Sequence, residues 1–217
     1  MEYITLNTGV KMPMEGFGVF QVTDPEICKE SVLNAIKTGY RLFDTAAVYG
    51  NEKALGEAIH EAIEQGLVTR NELFITSKLW VQDMNYEAAK KGIERSLEKL
   101  GLDYLDLYLL HQAMRDYFGA YRALEEAYQA GKLRAIGVRN FYPTILTNFW
   151  NVQRGVVVIP KSTHKERIEE NFAIWDFSLT DDEMTKIASL DMGYGDTRTK
   201  HFDPNFVRSV LNVKIHD

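Results

Sequence analysis

The 217-residue chain has one cysteine, Cys28, so no intramolecular disulfide, Cys-rich zinc site or CxxC redox pair can form. That poverty suits a reducing compartment. No stretch approaches the roughly 20 apolar residues that span a bilayer, and Met1 to Pro13 lacks the basic and apolar regions of a secretory signal. The expectation is a soluble, cytoplasmic protein. Positive charge is not in excess: 25 Lys and Arg stand against 31 Asp and Glu, a formal net charge of -6. Whole-surface attraction to nucleic acid or an acidic membrane is therefore not expected, and any anion site must be a local cluster. The five histidines are scattered, with no HExxH or HxH, which argues against a metal hydrolase and for no metal site.

What is present is an ordinary folded-protein balance, 45% hydrophobic and 26% charged residues, at a length that fits a single domain, 1–217, around one core. A turn signal at Asn7-Thr8-Gly9 between short alternating runs predicts a hairpin from Ile4 to Met12. Strand and helix patterns then alternate. A strand is expected in Glu15 to Phe20, followed by a helix whose Thr23 and Glu26 stand at capping-box spacing and whose apolar face is Cys28, Val32, Ala35 and Ile36. Strands at Arg41 to Thr45, Leu73 to Leu79, Tyr104 to Leu110 and Leu133 to Val138 alternate with helices at Asn51 to Gln65, Tyr86 to Leu100 and Asp116 to Ala130. Gly39, Gly66, Gly101 and Gly131 mark the helix ends.

Alternation with short connections implies parallel strands and right-handed crossovers, in a doubly wound sheet or a (β/α) barrel. Gly16-Phe17-Gly18-Val19-Phe20-Gln21 lacks the third glycine of the dinucleotide fingerprint, which weakens the doubly wound reading. In a barrel, chemistry gathers at the C-terminal ends of strands. Asp44, Lys78 and His111 fall at such ends on successive strands, and Tyr49 lies in the loop after Asp44. Any one alone is more often a capping, surface or core-edge group than a functional one; together they suit proton transfer by a tyrosine. A lysine ammonium favours the phenolate, Asp44 can hold the lysine, and His111 can orient a carbonyl oxygen. Beyond this, the apolar run Val156 to Ile159 leads into the segment Pro160 to Asn171, which carries Lys161, Lys165 and Arg167 and opens a helix, so that cations and backbone N–H groups could receive a phosphate.

The segments Phe43-Asp44-Thr45-Ala46-Ala47-Val48-Tyr49-Gly50-Asn51-Glu52, Thr76-Ser77-Lys78-Leu79-Trp80, Leu102 to His111 and Ile159-Pro160-Lys161-Ser162, in this order, resemble the aldo-keto reductase family, most of all its small bacterial members. The resemblance runs from Ile4 to about Phe149 and from Trp150 to the end. It implies NADPH-dependent reduction of a small carbonyl substrate on a (β/α)8 TIM-barrel fold, in a monomer or homodimer. Tyr49 is then the general acid, tuned by Lys78 and Asp44, with His111 orienting substrate. Lys161, Ser162 and Arg167 are matched to the 2′-phosphate, Glu170 and Asn171 to the adenine, and Asn140 to the nicotinamide amide. Phe20 and Trp80 are the candidates for walls of the substrate pocket.

The chain departs from that family in length. Six strand-helix units are counted where the family has eight, with a join near Phe149 and Trp150. Three readings are compatible with the sequence: a natural shortened protein, an engineered deletion, or a sequence from which a stretch has dropped out. The absent units in relatives supply part of the cofactor cradle, so a shortened, catalytically impaired NADPH-binding protein is the alternative function; an unrelated phosphate-binding barrel is a weaker one. Arg139 stands where relatives have a small residue such as Ser, either crowding the nicotinamide pocket or filling vacated space. A further helix is expected from Thr180, and the tail Gly193 to Asp217 reads as polar with scattered apolar residues.

Overall fold

Alternating apolar and polar residues open the chain as the expected hairpin: β1 (Tyr3–Thr5) pairs antiparallel with β2 (Lys11–Pro13). The structure, a computed structural model, describes residues 1–112, 115–139, 157, 159, 163–165, 168 and 204–216. The expected helix from Thr180, the join at Phe149 and Trp150, and the helix start at Pro143 lie outside these residues. Of the expected strand Val156 to Ile159, Val157 and Ile159 are described; two residues apart, both pack against the cluster of Met12, Leu42 and Phe74, though neither carries a strand assignment.

After the hairpin come β3 (Phe17–Gly18), α1 (Pro25–Thr38), β4 (Leu42–Asp44), α2 (Glu52–Glu64), β5 (Phe74–Leu79), α3 (Tyr86–Leu100), β6 (Leu107–Leu110), α4 (Tyr117–Gln129) and β7 (Ile136–Val138). The five strands β3 to β7 lie in chain order as one parallel sheet. This is the α/β arrangement that short, helix-bearing crossovers impose. The register sets Gly18 beside Asp44, Asp44 beside Thr76, and Lys78 beside Leu109, so the strand ends that carry the candidate residues lie at the same edge of the sheet.

Local chemistry accounts for the element ends, with one correction. The cap of α1 is Asp24, not Thr23: its Oδ1 accepts from the Ile27 N–H at 3.0 Å and Pro25 takes the first helical position. Cys28, Val32, Ala35 and Ile36 are buried as the apolar spacing requires. α3 ends at Gly101, whose φ of +65° is open to glycine at no steric cost. Gly56 in α2 has a different reason. A Cβ there would lie 2.3 Å from the Leu100 carbonyl oxygen, so α2 and α3 pack backbone to backbone at this point.

The expected strand Tyr104 to Leu110 is shortened to β6, because Asp106 turns inward as a polar peg. Its carboxylate is wholly buried and accepts from Arg70 Nη2 and Arg134 Nη1, each at 2.8 Å, and from the Ile75 N–H at 2.9 Å. Leu105 keeps only a bridge to Leu133. The tail, read as polar with scattered apolar residues and given no element, forms α5 (Pro204–Asn212), with Val210 buried in the main core.

Two outcomes test this packing. Asp106→Ala strands two guanidinium groups and should cost about 3–5 kcal/mol in urea unfolding, whereas Arg134→Ala, at a side chain 44% exposed, should cost under about 1 kcal/mol. Gly56→Ala should destabilise by about 1–3 kcal/mol despite alanine's better helix propensity, since neighbouring backbone must move.

Candidate active site

Lys78 ends up in the core because its strand is buried along its whole length. Its side chain is 1% exposed, and a buried ammonium needs compensation. Asp44 Oδ2 accepts from Nζ at 2.6 Å and the Thr45 carbonyl oxygen at 2.7 Å. Both acceptors come from the end of β4, delivered by the parallel register. A short 3-10 turn, Ala47–Tyr49, then carries Tyr49 back over the strand ends, with Lys78 Nζ 5.1 Å from the Tyr49 ring centroid. His111, directly after β6, meets Tyr49 edge-to-face at 5.7 Å between ring centroids. The three residues expected on successive strand ends and the tyrosine of the following loop are thus brought to one place.

Asn51 and Glu52, from the same sequence segment, serve the scaffold. Thr45 Oγ1 donates to Asn51 Oδ1 at 2.7 Å, while Asn51 Nδ2 donates to the carbonyls of Val19 and Val22. This ties the loop after β3 to the loop that holds Tyr49. Glu52 accepts from Ser77 Oγ at 2.7 Å, and burial raises its carboxyl above the usual range.

Electrostatically the site differs from the expectation at Tyr49. Burial raises its phenol above the ordinary value, and the cation that opposes this is Arg139, whose Nη1 donates to the Tyr49 hydroxyl at 3.2 Å. Lys78 spends its short contacts on Asp44 and Thr45 instead, so it does not activate the phenol by contact. Burial outweighs the pull of Asp44 and lowers Lys78 to about 8. His111 is lowered to about 3, first by burial and then by the nearby charges of Lys78 and Arg139, so it is neutral at ordinary pH.

These groups line one cavity of about 1030 Å³, ample for a small carbonyl compound together with a flat ring. Phe20, 52% exposed, stands 5.0 Å from the Tyr49 ring. Trp80 is buried and packs edge-on against His111 at 5.1 Å. Both candidate wall residues therefore lie against the polar group. The C-terminal tail, left unassigned in detail by sequence reasoning, completes the wall at Val213, whose carbonyl accepts from Trp80 Nε1 at 2.8 Å. It is held by Gln82, which donates to the His216 carbonyl, and by His216 Nε2, 2.8 Å from Asp83 Oδ1. Nothing local in the sequence marks these residues, because the contacts join positions more than 130 apart.

Of the expected cofactor contacts, Asn140, Lys161, Ser162, Arg167, Glu170 and Asn171 lie outside the described residues. The described neighbours give the setting. Ile168 is buried, its N–H donates to the His164 carbonyl at 3.1 Å, and its own carbonyl lies 3.2 Å from the Tyr40 hydroxyl. The bond from Ile168 back to His164 and the contact with Tyr40 thus fix Ile168 against the core just after the cationic segment. Among the described residues no cluster of metal-ligating side chains occurs, and no helix is long and apolar enough to cross a membrane.

Comparison with known proteins agrees with this geometry. The profile of the aldo/keto reductase family matches residues 16–149. The uncharacterized oxidoreductase YtbE of Bacillus subtilis is 36% identical over 257 residues, covering 86% of this chain and 92% of the relative. Glyoxal reductase of the same organism is 37% identical over 258 residues, covering 87% and 92%. Both alignments are longer than the 217-residue chain, so these relatives carry residues with no counterpart here. Among solved structures, an aldo-keto reductase from a deep-sea metagenome library superposes with a TM-score of 0.82 at 30% identity, covering 88% of this chain and 96% of that one. A Bombyx mori aldo-keto reductase in complex with NADP gives 0.78 at 27% identity, covering 87% and 92%. With the parallel sheet, the strand-end residues and these matches in agreement, the chain belongs to the aldo/keto reductase family, and its α/β fold matches solved aldo-keto reductase structures.

Proposed function

We propose that this chain reduces the carbonyl group of a small aldehyde or ketone to an alcohol with NADPH, Tyr49 serving as proton donor. The observation that carries the reading is the buried Lys78–Asp44 pair beneath the Tyr49 ring, with neutral His111 against the same ring in one cavity. NADPH supplies the hydride when bound. A cavity of this size, lined by Val157 and Ile159 just ahead of the cationic segment, fits such a group, and Asn140, Lys161, Ser162, Arg167, Glu170 and Asn171 are the residues that would hold it.

The chain's own groups do the rest. His111 orients the carbonyl oxygen by a hydrogen bond, and the raised phenol of Tyr49 keeps a proton available at neutral pH. Once that proton is given to the carbonyl oxygen, the phenolate has Arg139 at its oxygen and Lys78 over its ring. Two cations then stabilise the charge that develops on the oxygen. Phe20 and Trp80 shield the cavity from water and present an apolar wall to the substrate.

A second reading, a catalytically impaired NADPH-binding protein, has support in the residues that relatives carry and this chain lacks. It predicts tryptophan quenching by NADPH without NADPH oxidation by any reactive aldehyde, so a single stopped-flow mixing experiment separates the two.

Tyr49→Phe should lower kcat by about 10²–10⁴-fold while NADPH still quenches tryptophan fluorescence; loss of both together would count against its role. The pH profile carries a second expectation. Lys78 works as the ammonium and its value lies near 8, so kcat/KM should fall as pH rises through about 8. His111, lowered to about 3, should contribute no rising limb between pH 5 and 7. A limb near 6.5 would show that His111 titrates in the open.

A further inference from the structure

Arg139 is the exposed cation of the cavity. Among the described residues, the charged side chains that line it are Asp44, Lys78 and Arg139. Asp44 and Lys78 neutralise one another at 2.6 Å, which leaves one uncompensated positive charge among the described lining residues. Arg139 is positioned by backbone as well as side chain: its N–H donates to the Leu110 carbonyl at 3.0 Å, extending the β6–β7 ladder by one residue to the strand end that carries His111. Its guanidinium has a hydrogen bond to the Tyr49 hydroxyl, and among the described residues no carboxylate pairs with it. A guanidinium has five N–H donors in a fixed plane, so after serving Tyr49 it retains donors for a planar anion, the geometry that binds carboxylate bidentately.

We infer that Arg139 makes this cavity selective for carbonyl compounds with a carboxylate on the adjacent carbon, the 2-oxo acids. The inference rests on the reductase reading of the same site. In a 2-oxo acid the reacting carbonyl oxygen and a carboxylate oxygen lie side by side. The Tyr49 hydroxyl and the Arg139 guanidinium lie side by side as well, 3.2 Å apart, so the two pairs match. The carbonyl carbon takes a hydride from the reduced nicotinamide dinucleotide and its oxygen takes the Tyr49 proton. The products are a 2-hydroxy acid and the oxidised dinucleotide, and the carboxylate is unchanged. A neutral carbonyl compound leaves the guanidinium without an anionic partner.

The test compares pyruvate with 2,3-butanedione, which has the same acetyl carbonyl and no charge, and uses oxamate as an unreactive carboxylate probe in calorimetry with NADP+. Arg139→Gln should lower the ratio of kcat/KM for pyruvate over butanedione by at least about tenfold, as expected for one charged hydrogen-bonded contact. Oxamate affinity should fall by a similar factor, with Arg139→Lys in between. An equal loss on both ketones, or oxamate binding that ignores the substitution, overturns the inference. So does a fall in NADPH affinity with oxamate binding unchanged, which would make Arg139 a cofactor contact. If neither ketone is reduced but oxamate binding still depends on Arg139, the carboxylate site stands and the reductase reading falls.

Discussion

A lysine ammonium buried at the end of a parallel sheet is sustainable only with a carboxylate against it, and this site is organised around that requirement. Lys78 is almost wholly enclosed, and Asp44 meets it from the neighbouring strand. Removing one partner of a buried pair leaves an uncompensated charge at a cost of about 3–5 kcal/mol. The β4–β5 register, which sets Asp44 beside Thr76, is consequently a chemical constraint as well as a packing one. A slip by one residue would turn the side chains of β5 to the opposite face.

From that pair the remaining groups acquire their properties. The enclosure that lowers Lys78 also keeps His111 neutral and raises the Tyr49 phenol. Burial thus sorts the groups into a charged pair, a neutral hydrogen-bonding ring and a protonated acid. Asn51 holds the loop bearing Tyr49 to the preceding one through Val19 and Val22. The hydroxyl thereby stays over the strand ends. Arg139 adds a second cation at the reacting oxygen and leaves the described lining of the cavity with a net positive charge.

Much of the scaffold was legible because its determinants are local. The apolar spacing of Ala89, Ile93, Leu97 and Leu100 with Gly101 behind it marks α3 from end to end. The N-cap of α1 was misplaced by one residue, because Thr23 and Asp24 are both competent caps and only the entry angle of the chain chooses between them. α5 escaped notice although Pro204 suits a first helical turn, since its apolar face becomes meaningful only against the core that buries Val210.

By itself the sequence determined the alternation of strands and helices, the parallel sense of the sheet and the identity of the residues at the strand ends, because periodicity and capping act over a few positions. Tertiary structure decided which cation serves which group. Lys78 turned to Asp44 and Thr45, and Arg139, 90 residues from Tyr49 along the chain, took its hydroxyl. It also brought Val213 and His216 against the loop after β5. The physical reason is that charge pairing and burial depend on distances in space, and no local spacing of residues encodes a distance between strands.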